Sequence, residues 1–319
     1  MDNNTESIFK GMAQIKASRY FKDDDYIGDD GFRHCAHCKG AKEMTISFKG
    51  TDLPDATVPR ACPCMERIDE IRRSVQEEQE RLERVERIRN VGLRTEQLRA
   101  TRFEIDDSKD SDTSKAMRAY ASAWQEMKEN NIGLLLQGQV GAGKSFYATC
   151  IANAVIEQTS IKREPVILPV SKVEEYHTYY QDERAYFISA PEIVSIASDY
   201  SDYGYDRKLE LEKKVLHWEL LIIDDLGAQR GTEFGSEAVF NVINARCEAG
   251  KPVIVTTNLT NEEMESAKTL YEKRIIDRVY GMCPLQFEVV GKSRRKSDKP
   301  DRAVTAFDIL GKALLRGDA

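Results

Sequence analysis

A glycine-rich loop constrains this chain more than any other feature. The residues GQVGAGKS, at 138–145, follow an apolar run at 132–136 and precede a segment with helical periodicity. Strand, glycine-rich loop and helix in that order predict a P-loop, which binds phosphate. Glycines let backbone N–H groups turn toward a phosphate, and the helix N-terminus adds partial positive charge. We therefore expect nucleotide contacts from the loop and the next residue: Gly138, Gln139, Val140, Gly141, Ala142, Gly143, Lys144, Ser145 and Phe146.

Two side chains of this loop carry specific chemistry. Lys144 is expected to bridge the terminal phosphates of ATP and so to serve catalysis as well as binding. The Ser145 hydroxyl is expected to ligate Mg²⁺, which prefers oxygen donors. The pattern predicts ATP or ADP as the ligand and Mg²⁺ as its metal.

A pair of acids follows a second apolar run. Residues 220–223 are apolar, and Asp224 and Asp225 come directly after them. Carboxylates at the carboxyl end of a parallel strand point into the crevice where α/β proteins bind ligands. Asp224 is expected to hold Mg²⁺ through water, and Asp225 to orient and deprotonate the attacking water. The alternative is an acidic pair at a turn.

A third apolar run, at 252–256, ends in Thr257 and Asn258, and a basic helix follows later. Asn258 could hydrogen-bond the γ-phosphate or the attacking water, or it could only cap a turn. Acids after one strand and asparagine after the next is the order found in AAA+ ATPases. In that context Arg278 fits an arginine finger that reaches a neighbouring subunit's γ-phosphate, which predicts a homo-oligomer. The alternative for Arg278 is a solvated surface residue paired with Glu272.

Composition favours a soluble globular protein. The chain has 41% hydrophobic and 32% charged residues, and its longest apolar runs have the length of buried strands. We expect a cytoplasmic protein without membrane contact, because its start resembles no signal peptide. The net charge of −7 disfavours a surface that coats nucleic acid, so any DNA contact must be local.

Four of the seven cysteines lie in pairs near the N-terminus. Cys35 and Cys38 form a CxxC pair, and Cys62 and Cys64 form a tighter CxC pair. Paired thiolates in a short segment with little core suit tetrahedral Zn²⁺, which would supply folding energy. His34 or His37 could replace one thiolate, and reduced surface cysteines or a redox pair are the alternatives.

The order of these features predicts four segments. We expect a zinc-binding, partner-docking domain at 1–65, a charged linker helix at 66–99, an AAA+ domain at 100–296 and a basic, amphipathic tail at 297–319. The AAA+ domain should be an α/β fold, a parallel sheet flanked by helices, because its apolar strands alternate with amphipathic helices. A further helix is expected at 113–128. In the linker, an apolar stripe favours packing on the same protein over a docking arm for a partner.

With these motifs in place, the chain resembles bacterial and phage replicative helicase loaders of the DnaC/DnaI type. The resemblance runs from about residue 89 to 295. Besides the P-loop it rests on FISAPEIVSIASDY, LLIIDDLGAQ, VINARCEAGKPVIVTTNL, RIIDRVY and GKSRR. The last motif resembles the family's second sensor, which implies that Arg295 contacts nucleotide. Arg294 replaces the usual aromatic, which leaves Arg294 as the alternative for this role. Residues 160–185 form an insertion relative to the family, and the last residues, about 24 of them, have no family counterpart.

The resemblance implies an Mg²⁺-dependent ATPase of DNA replication. Such a protein would bind a DnaB-type replicative helicase and load it onto single-stranded DNA. Candidate DNA contacts are Lys292, Arg294, Arg295 and the aromatic residues between Tyr176 and Tyr186. The alternatives are a transposition helper ATPase of the IstB type, which normally lacks an N-terminal cysteine domain, a P-loop kinase, and a binder that uses ATP only as a switch.

Overall fold

The computed structural model describes residues 20–47, 54–167, 174–199, 202–228 and 232–290. The chain divides into two compact units, Met1–Glu80 and Arg81–Ala319. Among the helices of the described residues, none combines the length and the hydropathy that crossing a membrane requires.

The first unit contains two small antiparallel sheets and the start of a long helix. Its elements are β1 Tyr26–Ile27, β2 Arg33–His34, β3 Glu43–Ile46, β4 Ala56–Pro59 and helix α1 Pro63–Gly92, which continues into the second unit. Strand β1 pairs with β2, and β3 pairs with β4. The Lys42 ammonium lies 2.6 Å from the Asp25 carboxylate, and both side chains are buried. This ion pair occupies the interior of a unit that has few apolar side chains to bury.

Helix α1 leaves its apolar stripe mostly exposed. Ile68, Ile71, Val75 and Leu82 keep 47–62% of their accessible surface, whereas Val85 keeps 3%. The expectation that this stripe packs on the same protein is therefore wrong over the first turns and holds only from Val85 onward.

The second unit contains helices, a central parallel sheet and a separate two-stranded sheet. Its helices are α2 Glu96–Ala100, α3 Asp112–Ser122, α4 Trp124–Glu129, α5 Lys144–Glu157, α6 Ala190–Ala197, α7 Asp202–His217, α8 Glu233–Glu248, α9 Asn261–Glu265 and α10 Leu270–Met282. Its strands are β5 Leu134–Gln137, β6 Ser160–Ile167, β7 Glu174–Gln181, β8 Ala185–Ser189, β9 Leu220–Leu226, β10 Val253–Thr257 and β11 Leu285–Glu288.

Five of these strands form a parallel sheet in the order β11-β5-β10-β9-β8. Alternate residues of the three inner strands, β5, β10 and β9, enter different cores. Leu134, Ile222 and Ile254 belong to one hydrophobic cluster, and Leu135 and Ile223 belong to the other. Both faces of β5, β9 and β10 are covered, and these strands are mostly apolar, as in parallel sheets generally. The edge strand β11 instead alternates apolar and polar residues. The α/β prediction is confirmed.

One segment differs from its sequence prediction, and the insertion has a structure that the sequence left unassigned. The single helix expected at 113–128 is two helices, α3 and α4, which meet at Ala123 in a conformation that ends α3. The insertion at 160–185 contains a β-hairpin, in which β6 and β7 pair antiparallel over eight residues each. This hairpin is a sheet separate from the parallel one.

A buried arginine joins α8 to the start of β10. The Arg246 guanidinium donates five hydrogen bonds, at 2.6–3.2 Å, to four backbone carbonyls. The acceptors are Val215, Trp218, Glu219 and Pro252, and Pro252 accepts two of the bonds. Burial lowers the pKa of Arg246 to about 9, so the group stays protonated at neutral pH. A planar guanidinium satisfies several carbonyls at once, which a lysine could not do in this geometry.

Replacing this side chain should destabilise the domain strongly. We expect Arg246→Met to lower the free energy of unfolding by about 3 kcal/mol or more, because buried carbonyls lose their donors. Urea unfolding followed by circular dichroism measures the loss. Arg274→Met, at an exposed position of α10, is the control and should cost less than about 1 kcal/mol. Equal losses of unfolding free energy in the two variants would contradict a stabilising role for the buried hydrogen bonds of Arg246.

Candidate nucleotide and metal sites

The glycine-rich loop connects β5 to α5 as the sequence predicts. Gly138 has φ 141° and Gly143, which caps α5, has φ 109°, both outside the range favoured by other residues. A Cβ at Gly138 would lie 2.5 Å from the Val289 carbonyl oxygen, so the loop also needs glycine for close packing. Gln139 and Val140 are exposed, whereas Ala142 is buried.

Lys144 is held at the mouth of this loop. Its ammonium donates to the carbonyl oxygens of Gly138 and Gln139 at 2.8 and 2.9 Å, and to Asn258 Oδ1 at 2.6 Å. Asn258 follows β10, so the structure brings together the lysine and the asparagine that the sequence singled out separately. Phosphate oxygens could replace these acceptors, because they offer the ammonium the same kind of bond with more negative charge.

Asp224 lies at the end of β9 and is nearly buried, with 9% of its surface accessible. Burial raises the pKa of its carboxyl group, and hydrogen bonds from Thr256 and Ser145 oppose that shift. A buried carboxylate beside a serine hydroxyl provides the hard oxygen donors that Mg²⁺ prefers. The described residues therefore fit the metal that the sequence predicts.

Asp225 has an unusual backbone. Its φ is 55°, in the left-handed region that non-glycine residues rarely adopt. The pairing of β9 with β10 shifts register here, because Ile223 pairs with Val255 and Leu226 pairs with Thr257. Asp224 and Asp225 thus lie opposite the single residue Thr256, as in a β-bulge. The bulge turns the second acid away from the regular direction of the strand.

Thr256 is a residue of the site that the sequence motifs did not identify. Its hydroxyl donates to Asp224 Oδ1 at 2.6 Å and accepts from the Asp225 backbone N–H at 3.0 Å. A threonine in an apolar run is typical of any strand, so no sequence signal identified it.

The remaining predicted nucleotide contacts lie in different places. Phe146, in the first turn of α5, is partly buried and packs against the core. Arg278 is exposed on α10, where its Nε donates to Asn244 Oδ1 at 3.2 Å and its nearest acid is Asp277, at 3.8 Å. Glu272 accepts hydrogen bonds from backbone N–H groups at the start of α10. Arg295 lies outside the described residues.

The DNA contacts expected from the sequence are only partly described. Lys292, Arg294 and Arg295 lie outside the described residues. Tyr186 keeps 3% of its accessible surface and belongs to a core, so an expectation that it stacks on bases is wrong. Tyr179 and Tyr180 on β7 keep 40% and 37%, and the Arg84 guanidinium lies over the Tyr180 ring.

The four N-terminal cysteines form one cluster. The sulfur atoms of Cys35, Cys38, Cys62 and Cys64 all lie within 4.8 Å of one another. Cys64 Sγ is 3.7 Å from Cys35 Sγ and 3.3 Å from Cys62 Sγ. Four sulfurs at the usual Zn–S distance lie about 3.8 Å apart in a tetrahedron, so the donor set fits zinc.

The electrostatics of the cluster favour a cation. Backbone N–H groups of Cys64 and Gly40 lower the pKa of Cys38 to about 6. A hydrogen bond with the neighbouring Cys62 sulfur raises the pKa of Cys64 to about 12, because it holds the proton on Cys64. The four thiols can therefore all ionise only if a positive ion compensates their charge.

Neither nearby histidine belongs to this cluster. Both ring nitrogens of His34 are engaged, Nδ1 with the Lys39 carbonyl at 3.0 Å and Nε2 with Asp30 at 2.9 Å. His37 is exposed. Of the ligand sets left open by the sequence, the structure favours the four cysteines.

Comparison with known proteins tests the resemblance proposed from the motifs. Residues 176–301 match the model of the family described as IstB-like ATP binding protein. The chain is 25% identical over 180 residues to the phage-like element PBSX protein XkdC of Bacillus subtilis, covering 54% of this chain and 56% of that protein. It is 22% identical over 166 residues to the replicative helicase loader DnaC of Escherichia coli, covering 51% of this chain and 57% of DnaC. The resemblance to helicase loaders is confirmed.

The chain spans just over half the length of these curated relatives. Among solved structures it is similar to the DnaC helicase loader, with 18% identity, a TM-score of 0.44, and coverage of 61% of this chain and 100% of that one. It is also similar to DnaI, with 18% identity, a TM-score of 0.45, and coverage of 63% and 93%.

The cysteine cluster should determine the metal content of the protein. We expect one zinc ion per chain in protein purified without chelator. Removing it should unfold the first unit, since a segment this small depends on metal for folding energy. Elemental analysis and circular dichroism with and without chelator measure both effects. Cys62→Ser should lose the metal, and Cys247→Ser, in the second unit, should keep it. Purified protein with far less than one zinc per chain would contradict the assignment.

Proposed function

We propose that this protein is an ATPase that binds a replicative hexameric helicase and loads it onto single-stranded DNA. The observation that carries the proposal is the meeting of Lys144, Asn258 and the Asp224–Asp225 pair at one edge of the sheet, in a chain similar to DnaC. The cysteine cluster supports a loader over a transposition helper, because the latter normally lacks such a domain.

Within this proposal each side chain has one role. Lys144 contacts the β- and γ-phosphates, and the N–H groups of the loop bind the remaining phosphate oxygens. Ser145 and Asp224 hold Mg²⁺, which would neutralise charge that develops on the phosphates. Asp225 orients the attacking water and accepts its proton. Asn258 detects the γ-phosphate, because it already contacts the lysine that the phosphate would reach.

We also propose that Arg278 completes the site of a neighbouring subunit. It is exposed on α10, and its surroundings are polar side chains that leave the guanidinium at the surface. An arginine supplied by another subunit stabilises charge in the transition state of phosphoryl transfer. Active protein would then be an oligomer.

Mixing two inactive variants tests this assembly. Arg278→Ala keeps its P-loop and Lys144→Ala keeps its arginine, and each alone should lose at least about tenfold in ATP turnover. Lys144→Ala should also bind ATP at least about tenfold more weakly, because it loses the main cationic contact. Mixed together, the two should recover activity through sites that combine an intact P-loop with an intact arginine. Parental turnover by Arg278→Ala alone would contradict the proposal.

Helicase transfer tests the function itself. The protein would be incubated with the replicative helicase of its host, circular single-stranded DNA and ATP, and the helicase retained on DNA after a salt wash would be measured. We expect ATP-dependent association with the helicase, and clearly more helicase retained on DNA with the loader than without it.

Asp225→Asn separates binding from hydrolysis without disturbing the fold, because asparagine tolerates the left-handed backbone at this position. It should bind ATP and the helicase but lose most of its turnover, since only the transition state uses the base. No association with helicase, with or without ATP, would overturn the proposal, and binding to a transposase instead would favour the IstB-type alternative.

A further inference from the structure

Thr256 lies where two strands of the site fall out of register. It is on β10, fully buried, and faces the bulge formed by Asp224 and Asp225 on β9. At this point one residue of β10 lies opposite two residues of β9. Its hydroxyl therefore contacts both residues of the bulge.

The two hydrogen bonds of the Thr256 hydroxyl have fixed directions. A backbone N–H can only donate, so Oγ1 accepts from Asp225, at 3.0 Å. The hydroxyl proton is then directed at Asp224 Oδ1, at 2.6 Å. Such a short bond to a carboxylate is charge-assisted and fixes the rotation of the Asp224 side chain. One oxygen of the carboxylate is thereby occupied, and the group keeps a single orientation.

The same hydroxyl supports the backbone of Asp225. This residue has φ 55°, a conformation that persists only where the surroundings enforce it. Its N–H donates to Thr256, so this bond ties the strained residue to the central strand. One side chain thus constrains the position of one acid and the backbone of the next.

We propose that Thr256 is a positioning residue for both acids, holding Asp224 toward the metal and Asp225 toward the attacking water. The inference rests on the proposed ATPase function and goes beyond it by assigning a residue outside the P-loop and the acid pair. Thr256 acts through the Asp224 carboxylate and the Asp225 backbone. Partners that orient metal ligands typically change metal affinity by about 10–100-fold when they are removed.

The next residue provides a matched control. Thr257 is also fully buried, and its hydroxyl donates to the Leu226 carbonyl at 2.7 Å and accepts from the Leu259 N–H at 3.1 Å. Both bonds are to backbone groups. Thr257→Val therefore removes as many hydrogen bonds as Thr256→Val does, one of them to β9 and one to the turn after β10, without touching a carboxylate.

The test compares Thr256→Val, Thr256→Ser and Thr257→Val. Valine has nearly the shape of threonine but lacks the hydroxyl, and serine keeps the hydroxyl. Mn²⁺ binding would be measured by electron paramagnetic resonance with a non-hydrolysable ATP analogue present. ATP affinity without metal would be measured by calorimetry, and kcat and KM by steady-state hydrolysis.

We expect Thr256→Val to weaken Mn²⁺ binding by at least about tenfold. Its kcat should fall by a similar factor, and its metal-free ATP affinity should stay within about twofold, because the P-loop is intact. Thr256→Ser should restore Mn²⁺ binding and kcat to within about threefold of the native protein, and Thr257→Val should leave both close to native. If Thr256→Val does not fold, Thr256→Ala removes the hydroxyl without placing a methyl group against Asp224, and the same losses are expected.

Native Mn²⁺ affinity in Thr256→Val would overturn the inference, as would an equal loss in Thr257→Val. A native protein that binds Mn²⁺ and nucleotide but loads no helicase would overturn the proposed function and leave the role of Thr256 intact. A native protein that binds neither would overturn both.

Discussion

The hydrogen bonds that join β10 to both of its neighbours determine the geometry of the candidate site. On one side β10 pairs in parallel with β5, which leads into the P-loop, and on the other with β9, which carries the acids near its carboxyl end. Parallel pairing aligns the carboxyl ends of all three strands, so their polar termini meet at one edge. The distance between Lys144 and Asn258 is a consequence of this pairing, and so is the contact between Thr256 and Asp224.

Charge at this edge is balanced over short distances. The Lys144 ammonium is buried among three oxygen acceptors, and Asp224 is buried close to Ser145 and Thr256. An isolated charge in either place would be costly, because desolvation is compensated only by close partners. Nucleotide and metal carry opposite charges and can enter together, so the pair would disturb this balance less than either one alone.

The sequence predicts the parts of this structure that depend on local patterns. The P-loop, the apolar strands and the cysteine pairs each carry a distinctive spacing, and the structure brings Lys144, Asp224 and Asn258 together at one edge as the parallel order implies. The bulge at Asp225 and the buried hydrogen bonds of Arg246 depend on strand register and on carbonyls distant in sequence. Neither leaves a pattern among neighbouring residues. The break at Ala123 escapes prediction for a related reason, since alanine normally favours helix and tertiary packing overrides that preference here.

The left-handed backbone at Asp225 restricts how this position can vary. Asparagine and glycine adopt such a conformation at little cost, whereas glutamate and β-branched residues adopt it poorly. Glutamate would preserve the charge yet strain the chain, and asparagine would preserve the chain yet abolish the base. Among the ionisable acids, aspartate alone satisfies both demands. Among homologous chains that keep this bulge, the residues found at this position should therefore be limited first by the left-handed backbone and only then by the catalytic role.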